Sequence, residues 1–124
     1  MTRLTDVERR ERALSERDFQ RQVTDLATAL GWTWCHWRPL RNGRGFWQVP
    51  VEGPLGEGWP DLTMVRERDQ RFLVAELKRE LEHPSAAQVA VLRSLERVGI
   101  RTNVWRPSDL RDPIETSRIY EVLR

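Results

Sequence analysis

One segment of the chain places an acid and a lysine two residues apart at the end of an apolar run. In RFLVAELK, side chains alternate between two faces, so Glu76 and Lys78 share one face. Both faces are apolar up to Ala75, which predicts a central, buried strand. Lys78 is the one lysine beside 20 arginines, which suggests a position that requires a compact ammonium. An exposed ion pair, worth at most about 1 kcal/mol, is the plainer interpretation of the same spacing.

A second acid is expected opposite the first. If residues 61–65 pair with this strand in a hairpin that turns between Arg68 and Asp69, partners have numbers that sum to 137. Asp61 then faces Glu76, with Cβ atoms about 4.5 to 5.5 Å apart. Two adjacent carboxylates repel unless one is protonated or a cation lies between them. A hard divalent ion with oxygen ligands would resolve that repulsion.

These residues belong to a recognisable set of motifs. Gly58-Trp59-Pro60-Asp61-Leu62, then Glu76-Leu77-Lys78, then Gln88 on the following helix, resembles the PD-(D/E)XK nuclease superfamily, specifically its small VRR-NUC branch. The resemblance covers roughly residues 15–107. The sequence departs from the family mainly in a long loop rich in glycine, proline and tryptophan at 39–59.

The resemblance implies an α/β fold with a restriction-endonuclease-like core, a mixed central β-sheet flanked by helices in the order α-β-β-β-α-β. It implies Mg²⁺ or Mn²⁺ as cofactor and a lysine that orients or activates the attacking water. A bound metal polarises a phosphate and lowers the pKa of water. The implied metal ligands are Asp61, Glu76, the backbone carbonyl of Leu77, and Glu16 directly or through water, and the implied catalytic residues are Asp61, Glu76, Lys78 and Gln88 as a supporting amide.

Local signals predict the elements that hold these residues. Apolar positions at helical spacing follow Ser15, which with an acid at Asp18 is typical of a capping box, and Gly31 suits the helix end. Ser85 is predicted to cap a second helix, and Gly99 is predicted to end it. Strands are predicted at 32–38, 61–65, 71–78 and 101–105, and Asp112-Pro113 is predicted to start a terminal helix.

Length and composition favour one domain. The 124 residues predict a charged N-terminal arm at 1–14, which could be an extra helical stretch, and a single domain at 15–124. The single cysteine, Cys35, excludes an internal disulfide and argues against a structural zinc site. No apolar run approaches the roughly 20 residues of a membrane span, and the charged N-terminus lacks a secretory signal. We therefore expect no membrane partner and a cytoplasmic location.

Aromatic and basic residues indicate where nucleic acid would bind. Tryptophans in the loop beside the site suit base stacking, and arginines suit phosphates. Trp32, Trp34 and Trp37 fit a core or a dimer face better, and His36 and His83 fit structural or surface roles. The candidate nucleic-acid contacts are Arg38, Arg41, Arg44, Trp47 and Trp59.

The expected function is metal-dependent hydrolysis of DNA phosphodiester bonds. The small size suggests either cleavage directed by DNA structure or recruitment by a partner. The resemblance to stand-alone members of the VRR-NUC branch implies branched or flapped DNA, such as a four-way junction, as substrate, and a homodimer would match the two symmetric cuts of a junction. Two alternatives remain open from the sequence. One is a non-catalytic nucleic-acid-binding module on the same fold, and the other is a sequence-specific endonuclease of the restriction type.

Overall fold

The computed structural model describes residues 2–37, 40–41, 43–45, 47–48 and 51–124, with the backbone alone for 40–41 and 47–48. Within these ranges the helices are Asp6–Ala13 (α1), Glu16–Ala29 (α2), Ala86–Arg97 (α3) and Arg118–Leu123 (α4). The strands are Thr33–His36 (β1), Leu40–Arg41 (β2), Trp47–Gln48 (β3), Leu62–Arg66 (β4), Arg71–Leu77 (β5) and Arg101–Trp105 (β6). None of the helices described is long and apolar enough to span a bilayer.

The described residues form a mixed four-stranded sheet in the order β1-β4-β5-β6. β1 is antiparallel to β4, and β4 is antiparallel to β5. β5 and β6 are parallel, and α3 connects them. The hairpin register is the predicted one, with Thr63 opposite Val74 and Val65 opposite Phe72. The turn at 67–69 ends on Gln70, which adopts a left-handed conformation.

The strand β5 lies inside the sheet with helices on both sides, as its sequence predicts. Leu73, Ala75 and Leu77 join one core with α2 and α4. The alternate side chain Val74 joins a second core with Val91 and other residues of α3. Because Glu76 has the parity of Val74, it lies on the α3 face. The architecture is a mixed α/β sheet flanked by helices.

Side-chain caps set the helix starts. Ser85 accepts from the amide of Gln88, and the Gln88 side chain accepts from the Ser85 amide, a complete capping box. At α2 the structure shows the Ser15 half of the predicted box, in which Ser15 accepts from the Asp18 amide. The N-terminal arm contains the helix α1, whose buried Glu11 pairs with Arg111.

The C-terminal prediction was wrong in position. Pro113 precedes a 3-10 turn at Ile114–Thr116, and α4 begins only after Ser117, whose side chain accepts from the Tyr120 amide. The Ser117 hydroxyl accepts from an amide at the start of α4, a role that the sequence had assigned to Asp112.

The predicted loop 39–59 also contains local structure in its described residues. β2 pairs with β3 there, and a 3-10 turn spans Gly56–Gly58.

Candidate functional site

Asp61 is held at the end of the β4–β5 hairpin by two hydrogen bonds. Its carboxylate Oδ2 accepts from the backbone amide of Leu77 at 2.8 Å. Its backbone carbonyl accepts from the amide of Trp37 at 3.2 Å, which continues the β1–β4 pairing by one residue. The regular β4–β5 ladder ends one pair earlier, at Leu62 opposite Ala75. The ladder thus stops one pair short of Asp61 and Glu76, and Asp61 still lies near enough to act on the carboxyl group of Glu76.

Glu76 is an almost fully buried acid, with 1% of its surface exposed. Its Oε1 accepts from Nε2 of Gln88 at 3.1 Å and lies 3.8 Å from Nζ of Lys78. Its Oε2 is buried, and the described residues supply no hydrogen-bond donor to it. Burial raises the pKa of Glu76 to about 9, and the adjacent Asp61 adds to the rise by hydrogen bonding and charge, while Lys78 opposes it.

Lys78 and Gln88 converge on the same oxygen from two elements. The Lys78 side chain is 14% exposed, and its backbone amide donates to the carbonyl of Trp105 at 3.0 Å, continuing the β5–β6 pairing. Gln88 uses its Oε1 to accept from the Ser85 amide at 2.8 Å, which leaves Nε2 for Glu76. The capping box thus fixes the amide that supports the buried acid.

Glu16 occupies the first position of α2, and electrostatics links it to the same group of residues. Burial is the largest cause of the raised pKa of Glu16. The negative charge of Asp61 raises this pKa further, whereas Lys78 lowers it. Among the residues that the structure describes, no three or more His, Cys, Asp or Glu side chains form a group that could hold a metal ion. The close acids are thus the pair Asp61 and Glu76. The backbone carbonyl of Leu77 was expected to be a metal ligand. For this residue the structure shows that the backbone amide donates to Oδ2 of Asp61.

The acid pair fits a divalent cation by its donor chemistry. The donors are carboxylate oxygens, which Mg²⁺ and Mn²⁺ prefer. A buried carboxylate oxygen without a donor is costly when ionised, and either a shared proton or a cation removes that cost. Asp61 and Glu76 are the residues that could hold such an ion, with Glu16 nearby.

The candidate nucleic-acid contacts are placed only in part. Trp59 is half-buried, packs against the α3 core, and donates from Nε1 to Oγ1 of Thr63 at 3.0 Å. Arg44 is exposed. The side chains of Arg41 in β2 and Trp47 in β3, and the whole of Arg38, lie outside the described residues.

Other tryptophans and histidines take structural positions with one exception. Trp32 is buried in the core and donates to the carbonyl of Leu123 at 2.8 Å, as predicted for a packing residue. His83 lies 3.3 Å from a guanidinium nitrogen of Arg106 on the surface. Trp37 is the exception, because it is 39% exposed and its backbone bonds to Asp61.

Sequence reasoning missed one contact that supports the site. A Cβ built on Gly58 would lie 2.3 Å from the carbonyl oxygen of Ala87 in α3. Gly58 begins the Gly58–Leu62 segment quoted above, but which helix it touches depends on packing, which a sequence pattern does not contain. The capping box at Ser85 and Gln88 was readable from the S-x-x-Q spacing and was missed as a box.

Two acids, an ammonium and an amide therefore meet at the end of β5, on the face covered by α3. Comparison with known proteins adds no family to this geometry, because no family model, no curated protein and no solved structure matches the chain.

Proposed function

We propose that this protein is a metal-dependent DNA endonuclease of the PD-(D/E)XK type, resembling the VRR-NUC branch. The observation that carries the proposal is the pairing of Asp61 with Glu76, whose buried Oε2 has no donor among the described residues. A buried acid pair held by Gln88 and approached by Lys78 is costly for stability alone. Such an arrangement is typical of a functional site.

The arrangement of elements supports the same proposal. Apart from the short pair β2 and β3, which lies between β1 and β4, the order is the one that the resemblance implies: the helix α2, the strands β1, β4 and β5, the helix α3 and the strand β6. They build a mixed sheet with helices on both faces. We propose that this sheet is a restriction-endonuclease-like core with the site at the end of β5.

Asp61 and Glu76 would hold Mg²⁺ or Mn²⁺, with Glu16 as a further ligand directly or through water. The ion, when bound, would polarise the scissile phosphate and lower the pKa of water. The backbone amide of Leu77 fixes Oδ2 of Asp61 at 2.8 Å, which orients the other carboxylate oxygen. Gln88 does the same for Glu76 by donating to Oε1.

Lys78 supplies the positive side chain of the site. Its Nζ lies 3.8 Å from Glu76 Oε1, close enough for charge pairing and long for a hydrogen bond, so its protons remain available. An ammonium in a largely buried position can orient a water molecule and stabilise negative charge on a phosphate oxygen. We assign it those two roles.

The substrate proposed is DNA with branches or flaps, such as a four-way junction, cut by a homodimer. The chain has 20 arginines at a net charge of only +2, so phosphate binding would depend on local arginine placement.

The test is cleavage of end-labelled four-way junction, 5′ flap, single-stranded and duplex DNA in Mg²⁺, Mn²⁺ or EDTA. Wild type should cut branched DNA only with metal. Lys78→Met should lose about 100-fold or more in rate because it removes the ammonium. Arg97→Met, which removes an exposed positive charge from the end of α3, is the charge-matched control and should cut normally.

Two other outcomes would each replace the proposal with a different function. Salt-sensitive binding without cleavage, unchanged in Asp61→Asn, would replace the proposal with a non-catalytic nucleic-acid-binding module. Discrete fragments from long duplex DNA would replace structure-specific cleavage with sequence-specific cleavage of the restriction type.

A further inference from the structure

Gly58 packs against the first turn of α3 with no space for a side chain. A Cβ at this position would lie 2.3 Å from the carbonyl oxygen and 2.6 Å from the carbonyl carbon of Ala87. It would also lie 2.8 Å from Cγ2 of Val91. Because the nearest atoms belong to helical backbone, a rotamer change cannot relieve the clash. The absence of a side chain lets the segment before Asp61 lie directly on α3.

Trp59, which precedes Asp61, is hydrogen-bonded to Thr63, which follows Asp61 in β4. Its Nε1 donates to Oγ1 of Thr63 at 3.0 Å, so the bond joins residues that flank Asp61. Its ring packs against the core that contains Val74 and Val91. The chain from 58 to 63 is therefore fixed at both ends, with Asp61 between them.

The contact on α3 is adjacent to the residue that supports the second acid. Ala87 precedes Gln88, whose Nε2 donates to Oε1 of Glu76 at 3.1 Å. A displacement of this helical turn would therefore move the support of Glu76. A displacement of the 58–60 segment would move Asp61. One backbone contact thus relates the positions of the two carboxylates.

We propose that Gly58 and Trp59 are positioning residues that set the separation of Asp61 and Glu76, and so the affinity of the site for a divalent cation. This inference rests on the proposed function. A side chain at Gly58 must displace backbone by about 1 Å to reach ordinary contact distance, and misplacement of that size can cost about 100-fold in activity. The role assigned to Trp59 is anchoring through Thr63, not base stacking.

The experiment measures Mn²⁺ binding through thermal stabilisation, and cleavage of the DNA substrate that wild type cuts best, as functions of Mn²⁺ concentration. The variants are Gly58→Ala, Trp59→Phe, Thr63→Val and the double variant of the last two. Gly43→Ala is the matched control, because a Cβ there meets no atom of the described residues within 4 Å and its φ is not left-handed. Melting in EDTA checks that each variant folds.

Gly58→Ala should raise the Mn²⁺ concentration for half-maximal stabilisation at least tenfold, while Gly43→Ala should leave it unchanged. Trp59→Phe and Thr63→Val should each raise it severalfold, and the double variant should add little, because both remove the same hydrogen bond. At saturating Mn²⁺, KM for DNA should stay near the wild-type value.

Each contrary result has a separate meaning. Unchanged Mn²⁺ midpoints in both Trp59→Phe and Thr63→Val would overturn the inference even if Gly58→Ala failed to fold. A raised KM for DNA in Trp59→Phe alone, with a normal Mn²⁺ midpoint, would overturn it in favour of base stacking. A wild-type protein that neither responds to Mn²⁺ nor cuts DNA would overturn the proposed function, and this inference with it.

Discussion

Replacement of Glu76 by glutamine should stabilise the protein at neutral pH. Burial, with the help of Asp61, raises the pKa of Glu76 from its ordinary 4.5 to about 9. The folded protein then binds a proton at pH 7 that the unfolded chain releases. The stability that this proton confers is complete below pH 4.5 and is lost as the pH rises towards 9.

The magnitude follows from the pH interval. Between 4.5 and 7 the folded state loses about 1.4 kcal/mol per pH unit relative to the unfolded state, or about 3 kcal/mol in all. Glutamine carries no such proton, and its Oε1 can still accept from Nε2 of Gln88. At pH 7, Glu76→Gln should therefore raise the free energy of unfolding by up to about 3 kcal/mol, or Tm by about 10 °C.

The assay is thermal and urea unfolding at pH 4, 7 and 9 in EDTA. The gain from Glu76→Gln should be near zero at pH 4 and should increase at pH 7 and again at pH 9. Glu115→Gln, at an exposed position, is the charge-matched control and should show no such trend. A gain equal at all three pH values, or a loss at pH 7, would show that the pKa of Glu76 is not raised in the folded protein.

Three further results are expected. Mn²⁺ should raise Tm of wild type, whereas Asp61→Asn, which can keep the bond to the Leu77 amide, should lose that response in a melting assay with and without Mn²⁺. Arg66→Leu should lower the free energy of unfolding in urea by about 3 kcal/mol, because it removes a buried guanidinium that donates to the carbonyls of Leu123 and Arg124. Arg68→Leu, at an exposed position, should lower it by less than about 1 kcal/mol. Ser85→Ala should cost about 1 kcal/mol in urea unfolding, because the backbone amide of Gln88 loses its cap while the bond from the Ser85 amide to Oε1 of Gln88 is kept.

The hairpin register was predictable because two local rules agree at this position. Alternation assigns each side chain to a face, and the turn near Arg68 and Asp69 fixes which residues pair. The structure confirms Thr63 opposite Val74, and the ladder ends at Leu62 opposite Ala75, one pair before Asp61 and Glu76. The helix beginnings at Ser15 and Ser85 were predictable for a similar reason, since a cap is a contact within four residues.

Contacts between distant elements were not predictable in this way. The approach of Gly58 to Ala87 depends on how closely α3 packs on the sheet, and the bond from Gln88 to Glu76 depends on the rotation of that helix. The start of α4 was misplaced because a proline after an aspartate resembles a helix cap in the sequence. The chain instead forms a 3-10 turn there and uses Ser117 as the cap.

The charge balance of the site connects its metal and its substrate. Asp61 and Glu76 are the close pair of acids, and Lys78 is the cation that contacts Glu76. With both acids of this pair ionised, their repulsion of a phosphodiester would exceed the attraction of one ammonium. A divalent cation offsets that repulsion and favours the ionised form of Glu76. DNA bound at the site should therefore tighten Mn²⁺ binding, and Mn²⁺ should tighten DNA binding there by the same factor, because the two affinities are thermodynamically linked.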